Sequence, residues 1–238
     1  MRVSIQFRQP ALTLTLSSFL LFSAPAVYAQ ISGSAGVLSN YMYRGVSLSD
    51  DKAAARLVLN YDDPAGWFAG GQVVSGQLST ENSRHAQWTG YAGYAQRLSS
   101  GLAWETGMTT YLFPASPNWN FQEIYAGLSG EVLNLRLHYS PDYLGFGERT
   151  LYAELNSGWA LMQRWQAFLH GGYLYSRDNA RNSLSEARMG LATSYYGWQA
   201  QVSLDLTRLH GARKSEFYGT ASSGEWHRKI VFSVGRAF

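Results

Sequence analysis

Residues 229–238 read Lys-Ile-Val-Phe-Ser-Val-Gly-Arg-Ala-Phe. Ile230, Phe232, Val234 and Phe238 share one parity, interrupted only by Arg236. Lys229, Val231, Ser233, Gly235 and Ala237 hold the other. A period of two with one apolar side predicts a β-strand with an apolar face. Left at the end of a soluble sheet, such a strand exposes a pairing edge that natural proteins blunt. Closing a barrel against the first strand removes the edge. The remaining sequence has to decide between a soluble sheet and a closed barrel.

At the other end, Met1 to Arg8 is basic and free of acids. An apolar run follows from Ala11 to Phe22, then the small-residue stretch Ser23-Ala-Pro-Ala-Val-Tyr-Ala29. These are the three parts of a secretory signal peptide, so cleavage after Ala29 is expected. The run is short for a membrane span, and a helical anchor is the alternative. Residues 30–238 are then one exported domain. Charged residues are 15% and aromatics 15%, with 24 Gly and 6 Pro, which suits a β protein with a large apolar surface. The absence of cysteine excludes disulfides and thiolate chemistry. Arg2 and Arg8 belong to the leader. Without them, 17 Lys and Arg face 16 acids, a net of +1. With no concentrated basic patch, a nucleic-acid partner is not expected. The five histidines lie on separate elements without metal-ligand spacing, and no glycine run forms a phosphate cradle, so no cofactor is expected.

Between the two ends, β-type runs alternate with breaks. About twelve strands are predicted. They cover 34–43, 53–61, 67–75, 85–98, 102–113, 121–129, 134–140, 151–159, 165–175, 185–195, 198–206 and the terminal stretch. Short turns such as Ser99-Ser-Gly101 and Tyr196-Gly197 follow every even strand, and longer polar loops follow every odd one. That asymmetry belongs to outer-membrane barrels, with short periplasmic turns and longer extracellular loops. The longest loop, Thr207 to Arg228, carries Arg208, Arg213, Lys214, Glu216 and Glu225, as a solvated loop would.

Charge placement tests the membrane reading, because charge on a lipid face is costly. Leu135, Leu137 and Tyr139 oppose Arg136 and His138. Leu151, Ala153 and Leu155 oppose Glu154, and Ala187, Met189 and Leu191 oppose Glu186 and Arg188. Tyr41, Tyr43, Tyr61, Trp67, Tyr111, Trp159, Trp165, Tyr173, Tyr175, Tyr195 and Trp198 gather at predicted strand ends, as interfacial girdles do. A lipocalin-like soluble barrel would turn an apolar face inward and carry more Lys and Glu outside than this chain has. The predicted fold is all-β: a transmembrane antiparallel barrel of about twelve strands.

Ser39-Asn-Tyr-Met-Tyr-Arg-Gly-Val-Ser-Leu-Ser-Asp50 resembles the N-terminal signature of the TorF-type porin family, also labelled Gcw_chp, through Ser39, Tyr41, Arg44, Gly45, Ser47 and Ser49. Tyr61 to Gly70 and Tyr139 to Gly145 are similar too. Ala53-Ala54-Ala55 departs from the pattern, where a Pro often follows the loop. The resemblance implies an outer-membrane barrel with a porin-like role and no catalytic residue. The terminal Phe238 also looks like the signal read by the barrel-assembly machinery of Gram-negative bacteria. Arg44, opposite in parity to Tyr41 and Tyr43, should point into the barrel mouth. There it either sets a field that favours anions or ties loop one down through a carboxylate such as Asp50.

The expected lumen-lining residues are Arg44, Arg56, Arg97, Glu105, Glu123, Arg136, His138, Glu154, His170, Glu186, Arg188, Asp205 and Lys229. They either line a channel for small polar solutes or neutralise one another in a plugged interior. The expected partners are outer-membrane lipid, the assembly machinery and small polar solutes. A non-conducting structural or adhesive barrel, acting through its loops, is the alternative. His138 and Ser140 share a strand face and form the one enzyme-like pair. They point away from the lipid side, so enzymatic activity is not expected.

Overall fold

The computed structural model describes residues 30–76, 85–178, 183–211 and 224–238. The expected signal peptide and the Arg213, Lys214 and Glu216 part of the last loop lie outside them. In chain order the strands are β1 (Gln30–Leu38), β2 (Met42–Tyr43), β3 (Val46–Ser47), β4 (Ala54–Asp62), β5 (Trp67–Gly76), β6 (His85–Arg97), β7 (Ala103–Leu112), β8 (Phe121–Ser129), β9 (Leu133–Ser140), β10 (Thr150–Met162), β11 (Trp165–Ser176), β12 (Leu184–Tyr195), β13 (Trp198–Leu209) and β14 (Trp226–Ala237). All but β2 and β3 form a closed antiparallel barrel of twelve strands, each paired with its chain neighbour. β14 closes on β1, with Val37 opposite Val234 and Gly36 opposite Gly235. Gly33 and Phe238 exchange backbone hydrogen bonds of 3.0 and 2.9 Å, which carries the seam to the last residue.

Short links gather at one end of the barrel, the turn end. The tightest joins Tyr195 to Trp198 through Tyr196 and Gly197, whose φ values are +47° and +80°. Positive φ at both central residues matches the twist of a two-residue hairpin. Longer connections lie at the loop end. There Arg149 Nη2 donates to Asp178 Oδ1 at 2.6 Å and ties two loops together. Hydrogen bonds from Arg149 hold the Asp178 carboxyl down to about 2. The last loop is shorter than expected, because β13 runs to Leu209 and β14 begins at Trp226.

The apolar parity of each strand faces outward. Leu135, Leu137, Leu151, Leu155, Met189, Ile230, Phe232 and Val234 are all exposed. A soluble barrel would bury that side. A wall facing hydrocarbon requires it outside. Two aromatic levels bound this band: Tyr61, Trp67, Trp159, Trp165, Tyr195 and Trp198 near the turns, and Trp88, Tyr139, Tyr173, Tyr175 and Trp226 near the loops. Arg236, on the outward parity, places its guanidinium 5.9 Å from the Trp198 ring at the turn end, where a long side chain reaches the polar boundary.

Tyr41, Tyr43 and Tyr111 are not part of either girdle. All three are buried inside the barrel. The first strand was expected to run to Tyr43 but stops at Leu38, where Ser39 caps the seam: its N–H donates to the Phe232 carbonyl at 2.8 Å and its Oγ accepts from the Phe232 N–H at 3.0 Å. Beyond it the chain turns into the lumen. Alternation looks the same in a strand that continues upward and in a hairpin that folds inward, so the period could not separate the two.

A Cβ on Gly36 would lie 2.6 Å from the Val234 carbonyl oxygen and 2.9 Å from the Gly235 Cα, both across the seam. Gly36→Val is expected to weaken closure by about 1–3 kcal/mol, read as a lower urea midpoint for loss of the heat-modifiable folded band. An unchanged midpoint would contradict this pairing.

Candidate functional site

The site is an internal plug and the lumen wall that receives it. β2 and β3 form a small hairpin inside the barrel, with Met42 opposite Ser47 and Tyr43 opposite Val46. Its turn is Arg44-Gly45, with φ of +46° and +73°. Glycine takes this conformation freely and arginine does not, so packing must hold Arg44 there. A Cβ on Gly45 would fall 2.3 Å from Thr207 Oγ1, and that hydroxyl donates to the Gly45 carbonyl at 2.8 Å. The base of the loop is held by Ser49, whose Oγ donates to the Lys52 carbonyl at 2.7 Å and accepts from the Tyr41 N–H at 2.9 Å.

Arg44 Nη1 and Nη2 each donate to one carboxylate oxygen of Glu123, both at 2.6 Å. The two side chains are 6% and 1% exposed. The guanidinium also lies 4.0 Å from the Tyr152 ring centre. A bidentate pair with an aromatic face against the cation is the strongest form this contact takes. Arg44 therefore tethers loop one, but to Glu123 on β8. Asp50 instead pairs with Lys52 at the surface. Around the pair, Tyr41, Tyr43, Val46 and Leu48 of the plug pack on Tyr111, Phe121, Tyr143, Tyr152, Leu174, Leu184 and Leu209. Tyr111 stacks on Phe121 with centroids 4.4 Å apart. The loop half of the lumen is thus filled by an aromatic and aliphatic core.

A charged belt lines one side of this plug. Arg136 Nε donates to Glu105 Oε1 at 2.5 Å and its Nη1 lies 3.9 Å from Glu154. Arg136 reaches Glu105 across β8, where Gly127 sits between them. A Cβ there would be 2.8 Å from Glu105 Oε1 and 3.0 Å from Arg136 Cγ. His138 lies between Glu123 and Glu154 at 3.5 and 3.6 Å, ion-pair contacts longer than hydrogen bonds. Tyr152 donates to Glu186 at 2.6 Å, His170 Nε2 lies 3.5 Å from the same carboxylate, and Arg188 holds Asp205 at 2.6 Å.

Four predicted residues lie apart from this network. Arg56 is on the facing wall. Lys229 pairs with Asp51 at the loop end. Arg97 is exposed at the turn end, and Phe238 is at the seam. His138 and Ser140 are not coupled: the Ser140 hydroxyl donates to the Gln122 carbonyl at 2.8 Å.

Residues 23–238 match a family described as "Bacterial protein of unknown function (Gcw_chp)". The chain belongs to the Gcw_chp family. No curated protein matches it in sequence. Among solved structures, this Gcw_chp barrel is similar to the KdgM porin at 13% identity and a TM-score of 0.56, covering 87% of this chain and 99% of that one. It is also similar to the NanC porin at 13% identity and 0.53, covering 88% and 99%. A COG4313 outer membrane channel from Pseudomonas putida F1 is similar at 13% identity and 0.50, covering 90% and 97%. At such identities the likeness establishes a shared barrel fold.

Sequence reasoning missed the apolar half of the Gcw_chp lumen. The signal was present: Leu174 shares parity with His170, Leu184 with Glu186, and Leu209 with Asp205. On each strand the inward residues become apolar near the loops. Arg44→Ala would leave Glu123 buried without its cation, at an expected cost of about 3–5 kcal/mol. Urea unfolding in detergent checks it, and the double variant Arg44→Ala/Glu123→Ala is expected to recover part of the loss.

Proposed function

We propose that this protein is an outer-membrane, porin-like channel for the passive passage of small polar solutes, narrowed by its own first loop. The supporting observation is the distribution of space around the plug. A cavity runs between the plug and the charged belt. A second occupies the turn end, and Arg56 lines both. Polar and charged side chains are among those that border the space that remains, as passage of hydrated solutes requires. Residues 1–29 are read as the leader that exports the chain, and the TorF-type porin resemblance of the first motif agrees with this role. No catalytic step is assigned.

Planar-bilayer recording of the purified protein tests the proposal. Small single-channel steps are expected from the parent protein. Arg44→Ala, which frees the plug, is expected to give steps at least about twofold larger. A non-conducting structural barrel is favoured by one feature, the packed core holding loop one, and silence from both proteins at every voltage would select it.

Assembly is read as depending on the terminal strand. Deleting Phe238 removes the last seam contacts with Gly33. It is expected to reduce the amount of protein reaching the outer membrane more than it weakens the barrel refolded in detergent. Equal amounts in the outer membrane would contradict an assembly role for Phe238.

A further inference from the structure

The guanidiniums inside the barrel are not treated alike. Arg44, Arg136 and Arg188 each hold a carboxylate, on Glu123, Glu105 and Asp205. Arg56 holds none among the described residues. Its charged and ionisable neighbours are Tyr41 and Arg188, and Arg188 is already paired. A half-buried cation without a counter-charge calls for one from outside the chain. Beneath Arg56 lies the turn-end cavity. Arg164 lines it too, its guanidinium 4.5 Å from the centre of the Tyr195 ring. Between the two cations the wall is neutral and rich in hydrogen-bonding groups: Gln166, Gln199, Gln201 and Ser233. Among the described residues no carboxylate lines this cavity, and Asp62, at the end of β4, is outside it. The acids of the belt lie on the other side of Arg56; Glu154 and Glu186 line the plug-side cavity with it and contact His138 and His170.

We propose that the turn-end cavity binds an organic oxyanion that also carries hydroxyl groups. Arg56 supplies the fork for the carboxylate or phosphate, Arg164 supplies positive potential at the mouth, and the amides and Ser233 read the hydroxyls. This deepens the channel reading, on which its biological meaning rests, by naming the class of solute.

Calorimetric titration of the purified full-length protein in detergent micelles with glucuronate, glucose 6-phosphate and glucose tests the inference without requiring conduction. One or both anions are expected to bind on the order of 10-fold more tightly than glucose, or better. The preferred anion distinguishes carboxylate from phosphate recognition. Arg56→Gln is expected to abolish the preference while leaving the heat-modifiable band intact. If that variant does not refold, Arg164→Gln, on an exposed turn, is expected to reduce the same preference. Equal binding of all three compounds overturns the inference, as does a preference that survives the substitutions. Anion binding without bilayer conductance overturns the channel reading alone. Conductance without anion preference overturns this one alone.

Discussion

Glu123 lies on the barrel wall and Arg44 on a loop 79 residues earlier, and much of the interior follows from their meeting. A carboxylate enclosed at this depth requires a cation and saturated hydrogen bonds. The wall offers none directly beside it, because Arg136 is engaged by Glu105 and His138 stands between two glutamates. Loop one supplies the guanidinium from inside the lumen. To do so it must fold back, take positive φ at two successive residues and bring its own aromatic side chains with it. The apolar core of the loop half is the packing that makes this inward fold stable.

The same pairing divides the interior in two. On β7 to β13, five carboxylates meet arginines and histidines in a belt of ion pairs. On the facing wall, β14, β1, β4, β5 and β6 contribute amides, hydroxyls and Arg56. Charge is therefore concentrated where it is neutralised and sparse where space is left. A lumen with the same residues distributed evenly would attract ions of neither sign at any particular level. Here Arg56, which holds no carboxylate among the described residues, borders the space that is left.

Much of this was legible in the residues. The terminal parity of Ile230, Phe232 and Val234 predicted an outward apolar face, and the alternation of short and long breaks predicted twelve strands and the two ends. Belt residues such as Glu154 and Arg188 could be placed inward one strand at a time. Their partners could not. Glu105 reaches Arg136 across an intervening glycine on a third strand, and Arg44 depends on a loop whose direction the period does not encode. Tyr41 and Tyr43 show the limit most plainly: the residue types that suit a bilayer boundary also suit a plug. Leu174, Leu184 and Leu209 were passed over for a different reason. Leu184 and Leu209 lie just beyond the predicted strand ends, and only when the strands are set side by side do the three form one apolar layer at one height.

The order of synthesis gives the plug a further meaning. Its hairpin, Met42 to Ser47, precedes eleven of the twelve barrel strands in the chain. The strands it packs against, β8 and β10 among them, are made later, and β14, which shuts the cylinder, comes last. Links of only three and six residues join the hairpin to β1 and β4, so it cannot stray far from the mouth of the barrel, whichever strand closes last.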